Sequence, residues 1–277
     1  MDGAVLITGC SSGIGRALAR TFQRHGLNVI ATARRPETLA DIGPGIATET
    51  LDVTDAQSID SLVARLAGAG TRVAMLVNNA GYGAMGPLAE LPVKDFRDQF
   101  ETNVIGTHAV TRAFLPAMIA ARQGTIINIA SVVGVVATPF AGAYCASKFA
   151  VNGMSAALRM ELAPFGVRVV IVQPGAIRSQ FGQTASALAR RSSVDTGPYK
   201  RFREAIALRA VASQRHAIPA ETFAERMVRA VLRDPPPAVI RIGPFSRTLP
   251  LLQHLLPRRL LDHALSRQFG LDRVAAS

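Results

Sequence analysis

The chain of 277 residues has no tryptophan, two cysteines, three tyrosines and three lysines. Each shortage removes options. Cys10 and Cys145 stand far apart in a chain of this size, which leaves no disulfide framework and no cysteine-based metal knuckle. A reducing, cytoplasmic setting is the simplest expectation. His25, His108, His216, His254 and His263 show no ligand spacing, so no metal is expected. No run reaches the ~18 uncharged apolar residues of a spanning helix. The N-terminus has neither the basic region nor the cleavage site of a signal peptide. Acidic residues are also scarce, 19 against 31 basic, for a formal charge of +12. Because only Lys94, Lys148 and Lys200 are lysine, the basic side chains are almost all arginine. The surplus is uneven: residues 1–180 hold 15 basic and 12 acidic side chains, residues 181–277 hold 16 and 7. Such charge raises the question of a polyanionic partner. No recognition helix, zinc spacing or aromatic–basic interleaving accompanies it, and nucleic acid is not expected.

What is present is ample material for one core, with 49% hydrophobic and 18% charged residues. Short apolar runs alternate with helix-like stretches. The strand candidates are Ala4–Thr8, Asn28–Ala33, Thr48–Leu51, Met75–Asn78, Thr125–Ile129, Val167–Val172 and Val239–Ile242. Their apolar residues are near-continuous, as in strands buried on both faces of a parallel sheet. Between them the patterns predict helices over Ile14–His25, Ser58–Ala69, Thr102–Arg122 and Ala143–Leu162. Repeated strand–helix order implies right-handed crossovers and an α/β, three-layer, doubly wound fold. Residues 1–245 then form a single catalytic domain. Within it a polar, Ser/Arg-rich connection over about 176–219 reads as a substrate lid. Pro235-Pro236-Pro237 stops a helix ending near Arg233. Residues 246–277 form a C-terminal extension, basic and amphipathic.

The first strand candidate runs directly into Thr8-Gly9-Cys10-Ser11-Ser12-Gly13-Ile14-Gly15, and a helical pattern follows. Strand, glycine turn and helix N-terminus in that order suit a dinucleotide. Glycines let the backbone approach a pyrophosphate, and the helix end offers free N–H groups and positive partial charge. The same glycines would also serve a purely structural turn. Gly9, Ser11, Ser12, Gly13, Ile14 and Gly15 are thus candidate cofactor-binding residues. At the end of the second strand, Ala33 occupies the place where an acid would hold ribose hydroxyls, and Arg34 and Arg35 follow. A guanidinium grips a 2′-phosphate that a carboxylate would repel, which points to NADP(H) over NAD(H). The bland alternative is a pair of solvated loop charges. Asp52, after the third strand, is placed to accept from an adenine amino group, or to cap the following helix.

Tyr144 and Lys148 stand four apart on a helix-like stretch, on one face and one turn apart. A free phenol titrates near 10, and a neighbouring ammonium favours its phenolate, readying it for proton exchange at neutral pH. In a chain that uses arginine almost everywhere, a lysine retained here stands out. Ser131 ends the fifth strand candidate, where ligands sit in open α/β sheets, and its hydroxyl can bond a substrate oxygen. A strand-terminal serine is also a common turn residue. Nothing marks Cys10 or Cys145 as a nucleophile.

Over roughly residues 3–180 these motifs, in this order, resemble the short-chain dehydrogenase/reductase family. The resemblance implies a Rossmann fold with a seven-stranded parallel sheet. It adds Asn78-Asn79-Ala80-Gly81 on the adenine side, Asn103 as a fourth catalytic residue, and Pro174-Gly175 after the sixth strand. The implied cofactor contacts extend to Asp52, Val53, Asn79, Ala80, Gly81, Tyr144, Lys148, Pro174, Gly175, Ile177 and Ser179. Serine at 179 departs from the family's usual threonine but keeps the hydroxyl. The implied roles are proton exchange by Tyr144 and polarisation of the substrate oxygen by Ser131. Lys148 would hold the nicotinamide ribose and lower the Tyr144 pKa, and Asn103 would anchor a relay water. The alternative on the same fold is an NADP(H)-binding regulator without turnover, disfavoured by the presence of all four catalytic-type residues.

The segment Val132–Ala143, the expected pocket wall, holds no charged residue, so a lipophilic carbonyl or alcohol is expected. Ile30–Leu39, Gly81-Tyr82-Gly83 and the C-terminal extension resemble the branch containing 17β-hydroxysteroid and retinol dehydrogenases. The family also implies a homodimer or homotetramer built through the two long helices. The basic tail reads either as docking weakly on an anionic membrane or as packing over the cleft or a subunit interface. Pro250 and Pro257, which interrupt any long helix there, favour packing.

Overall fold

The computed structural model describes residues 3–181, 197–214 and 216–272. Its nine strands are β1 (Ala4–Ile7), β2 (Val29–Ala33), β3 (Ile46–Thr50), β4 (Val73–Asn78), β5 (Gly124–Ile129), β6 (Val167–Pro174), β7 (Ile177–Arg178), β8 (Ile218–Pro219) and β9 (Val239–Ile242). Seven pair, all in parallel, in the order β3-β2-β1-β4-β5-β6-β9. The strand order reverses between β1 and β4, and the crevice at their carboxyl ends is where such sheets hold ligands.

The apolar runs are continuous because both faces of the sheet are covered. One set of alternate residues, including Val5, Ile7, Val29, Ala31, Met75, Val77, Ile127 and Val170, packs on one helical layer. That layer is α1 (Gly13–Arg24) and α7 (Ala220–Val231), joined through Phe22, Phe223 and Met227. The other set, including Leu6, Ile30, Leu76, Ile126 and Val169, meets α2 (Ala56–Gly68), α4 (Gly106–Ala120) and α5 (Gly142–Leu162) through Leu62, Phe114, Met118 and Leu162. The edge strand β9 alternates exposed and buried residues, as one-sided cover dictates.

The single long helix expected over Thr102–Arg122 instead divides into two, and a further helix precedes it. α3 (Val93–Phe100) runs into a π-helical turn, Glu101–Ile105, and only then into α4. Pi-turns insert one residue into the hydrogen-bond ladder and recur at functional sites, and this one carries Asn103. The helix expected from Ser58 starts at Ala56, because Asp55 caps it by accepting from the Gln57 N–H at 3.0 Å. Asp52 is not that cap. Its carboxylate instead accepts from the Thr54 N–H and hydroxyl at 3.0 and 2.8 Å.

The connection expected as a lid is tied at both ends, since β7 pairs with β8 in a separate two-stranded sheet. Within it, Phe202 and, on α6 (Arg203–Ala210), Ile206 pack against Phe140. Residues 182–196 of that segment lie outside the described residues. The tail forms α8 (Thr248–Leu255) and α9 (Arg258–Gln268), broken at Pro257 as its sequence predicts. Leu261 and Leu265 of α9 are buried against Val136, so the extension packs on the wall segment 132–143. Its other face leaves Leu251, Leu252, Leu255 and Leu260 exposed. No helix among the described residues is long and apolar enough to cross a membrane.

Candidate active site

The turn from β1 into α1 is held in a shape only glycine permits. Gly9 and Gly13 have φ of +72° and +56°. A Cβ on Gly15 would sit 2.3 Å from the Gly9 carbonyl oxygen and 2.5 Å from Asn79 Nδ2. The turn is braced from the end of β4. The Asn79 amide donates to the Thr8 and Gly9 carbonyls at 2.9 and 3.1 Å, and the Thr8 hydroxyl accepts from the N–H groups of Asn79 and Ala80. Asn79 therefore shapes the turn, its side-chain amide nitrogen being spent on the loop. Ser12, the N-cap of α1, makes no side-chain cap, which leaves the first N–H groups of that helix free to meet an anion. Ser179, following β7, closes on the same turn: its Cβ lies 3.0 Å from where a Gly13 Cβ would be. Its N–H donates to Gln214 Oε1 at 3.1 Å.

Arg34 and Arg35 follow β2 at its carboxyl end, both exposed. Neither has a carboxylate within 4.0 Å among the described residues. This end of the site thus presents two unpaired guanidinium groups and no acid at Ala33. The Val53 side chain is buried against Gly106. Pro174 ends β6, and the Gly175 N–H donates to the Ile242 carbonyl, locking the start of the connection to β9.

The candidate reacting groups meet at the carboxyl ends of β4 and β5. Asn103 is buried, accepts from the Tyr82 N–H at 3.1 Å, and donates to the Tyr82 carbonyl at 2.9 Å and to Ser147 Oγ at 3.0 Å. The Ser147 hydroxyl donates in turn to the Tyr144 carbonyl at 2.8 Å. Gly81 comes so close to this group that a Cβ there would stand 2.9 Å from Asn103 Oδ1 and 3.7 Å from Lys148 Nζ. Lys148 is buried, and its ammonium donates to the Ile129 carbonyl at 2.7 Å. That nitrogen lies 5.9 Å from the centre of the Tyr144 ring. Ser131, next after Ala130, caps a short 3-10 turn, its hydroxyl accepting from the Val133 N–H at 3.3 Å.

Burial governs the protonation of both central groups, in opposite directions. It pushes the Tyr144 phenol up to about 12, with a hydrogen bond from Ser131 opposing it. It pulls the Lys148 ammonium down to about 8. The sequence expectation that Lys148 lowers the Tyr144 pKa is not what this arrangement gives. Both groups lose water, and the Lys148 charge is turned toward a backbone carbonyl. Tyr144 is accordingly a neutral donor here, and Lys148 is readily discharged at mildly alkaline pH. The ring of Phe181 lies 5.1 Å from that of Tyr144, and Met85, Ala141, Cys145 and Ala210 pack beside them. Among the described residues no three His, Cys, Asp or Glu side chains come together.

Residues 3–188 match the family model of the short chain dehydrogenases. The chain belongs to that family. It is 32% identical over 268 residues to the uncharacterized oxidoreductase YbbO of Escherichia coli, covering 96% of this chain and 94% of that one. It is 33% identical over 266 residues to the 3-ketodihydrosphingosine reductase of Bacteroides thetaiotaomicron, covering 94% and 96%. Among solved structures, a short chain dehydrogenase from Burkholderia cenocepacia in complex with NADP superposes with a TM-score of 0.75 at 26% identity, covering 95% and 98%. One from Burkholderia phymatum in complex with NAD gives 0.78 at 25% identity, covering 95% of each chain. The protein is an oxidoreductase of the short-chain dehydrogenase family, with its nucleotide-binding Rossmann sheet.

In this family member several site residues escape a reading of the sequence. Gln99 is buried, accepting from the Ala84 N–H at 2.6 Å and donating to the Tyr82 carbonyl, so it fixes the loop over Asn103. Ser147 bridges Asn103 to the Tyr144 backbone, a role the Tyr–Lys spacing does not reveal. Arg209 enters from α6, more than 60 residues beyond Tyr144, and no local pattern marks it.

Proposed function

We propose that the protein is an NADP(H)-preferring oxidoreductase that interconverts a carbonyl and an alcohol on a lipophilic substrate. One observation carries this reading: Asn103, Ser131, Tyr144 and Lys148 gather at the carboxyl ends of β4 and β5, next to the glycine turn. Bound nicotinamide would supply or accept the hydride. The phenol of Tyr144, held neutral, donates its proton to the developing alkoxide, or accepts one from an alcohol in the reverse direction. The Ser131 hydroxyl holds the substrate oxygen against that phenol. Lys148, its ammonium anchored on the Ile129 carbonyl, would hold the nicotinamide ribose. Asn103, through Ser147, fixes the helical turn that carries Tyr144.

Preference for NADP(H) is supported by the two unpaired arginines after β2 and by Ala33 in place of an acid. The donor set fits the dinucleotide: uncapped N–H groups at α1, and a turn in which a side chain at Gly15 would strike backbone. A lipophilic substrate is supported by the Phe181, Met85 and Ala141 surround of Tyr144, and a relative named for a keto lipid is in keeping with it. Assembly as a homodimer or homotetramer is supported by the exposed Ile105, Phe149 and Met160, on and beside α4 and α5. The test is oxidation of NADPH, and of NADH alongside, over a panel of aldehydes, ketones, oxo acids and sterols. Turnover that Tyr144→Phe abolishes while NADPH binding persists is expected. A panel with no Tyr144-dependent turnover overturns the reading.

A further inference from the structure

Among the described residues, Arg209 is the one buried charge that the chemistry above leaves without employment. It is 6% exposed, in the last turn of α6. Its Nε and Nη2 both donate to a single acceptor, the Thr138 hydroxyl, at 3.1 and 2.8 Å. No carboxylate lies within 4.0 Å of it among the described residues. Phe269, at the end of α9, covers it, with the guanidinium carbon 5.5 Å from the ring centre. An aromatic face softens the cost of burying a cation but does not neutralise it. Proteins rarely hold an arginine in this state, because a buried guanidinium without an anion forfeits hydration and gains little in return.

The position of this charge is as informative as its isolation. Thr138 lies in the wall segment, its Oγ1 3.9 Å from Cys145 Sγ, and Cys145 follows Tyr144. Ala210, the next residue to Arg209, packs with Cys145, Met85, Tyr144 and Phe181. The Arg209 charge is close enough to Tyr144 to act on its phenol. The wall is thus uncharged in sequence, yet a cation from a distant helix is bonded to it through Thr138. A planar fork of N–H donors in an apolar surround is suited to a carboxylate.

We propose that Arg209 binds a carboxylate of the substrate beside Tyr144, so that the substrate is an apolar oxo acid or hydroxy acid and not a neutral ketone. This rests on the reading of Tyr144 as the centre of a carbonyl–alcohol site. A guanidinium at this place disfavours an amino ketone for the same reason that it favours an acid. Thr138 is the positioning residue that holds the guanidinium in plane.

The experiment separates this proposal from the reading it rests on. Decanoate, decan-1-ol and decylamine are titrated calorimetrically into the whole protein at about 0.15 M salt, where exposed arginines are screened. Decanoate is expected to bind roughly 30-fold more tightly than decanol, the worth of a charged hydrogen-bonded contact, and decylamine more weakly than either. Arg209→Met should erase the preference for the acid while leaving decanol binding in place, and Arg209→Lys should restore part of it. Equal binding of acid and alcohol by the wild type, which needs no variant to fold, overturns the proposal. So does a preference that survives in a folded Arg209→Met protein. Kinetics on 3-oxodecanoate and its methyl ester give the second arm. If Arg209→Met lowers turnover of both alike and moves the pH profile, Arg209 serves the Tyr144 phenol and the carboxylate assignment is wrong. Absence of all turnover, with the binding preference intact, counts against the carbonyl–alcohol reading alone.

Discussion

Replacing Lys148 by methionine tests how the site handles charge. Lys148 is 6% exposed, and burial lowers its ammonium from the ordinary 10.5 to about 8. Between those values the unfolded chain holds a proton that the folded chain has released. Unfolding therefore takes up a proton, and the folded state gains stability as pH rises through that window. At about 1.4 kcal/mol per pK unit, the gain is about 3 kcal/mol. Methionine has a similar length and does not titrate. The difference in unfolding free energy, wild type minus Lys148→Met, should thus climb by about 3 kcal/mol from pH ~7.5 to pH ~11. At the lower pH the variant escapes the burial of a charge but leaves the Ile129 carbonyl without its 2.7 Å bond, a loss of about 1–3 kcal/mol. The two proteins should be near parity there, with wild type ahead at high pH. Tyr144 works oppositely. Its pKa is raised from 10.0 to about 12, so its contribution is lost as pH rises through that interval, but it is common to both proteins and largely cancels. Because the chain has no tryptophan, urea unfolding is best followed by far-ultraviolet circular dichroism, on protein without added nucleotide. A difference that stays flat across the range would refute the claim that burial discharges this lysine.

Three further predictions rest on other parts of the site. Arg34→Asp with Arg35→Ala should weaken NADP+ binding by about tenfold or more and narrow its lead over NAD+, since the change exchanges attraction for repulsion at a 2′-phosphate; titration calorimetry with both nucleotides checks it. Gly15→Ala should lose both dinucleotide affinity and about 2 kcal/mol or more of stability, because its Cβ would stand 2.3 Å from backbone that cannot swing away. Its thermal midpoint and nucleotide titration read the two effects separately. Leu261→Ala should cost about 2–4 kcal/mol in chemical unfolding by opening the contact of α9 with Val136, while the exposed Leu255→Ala should change little.

The sequence alone determined the sheet, because a strand covered on both faces must be apolar at every position, and those runs stand out in β1, β2, β4 and β6. It also determined the glycine turn and the Tyr144–Lys148 pair, which depend on contacts within a few residues of chain. Helix boundaries were less legible. The π-turn at Asn103 has no signature in spacing, since it arises from how α3 and α4 meet the 82–84 loop through Gln99 and Asn103. Asp52 illustrates the limit at a single residue: its position suits an adenine or a cap, and the structure spends its carboxylate on Thr54. Only the tertiary structure decided the electrostatics. Burial, absent from any linear pattern, sets the phenol and the ammonium moving in opposite directions. Folding also brings Arg209 from within the lid segment, and Phe269 from the tail, to a wall that the sequence shows as uncharged. A covalent neighbour can be read from a string of residues, whereas the removal of water around a charge depends on everything that folds over it.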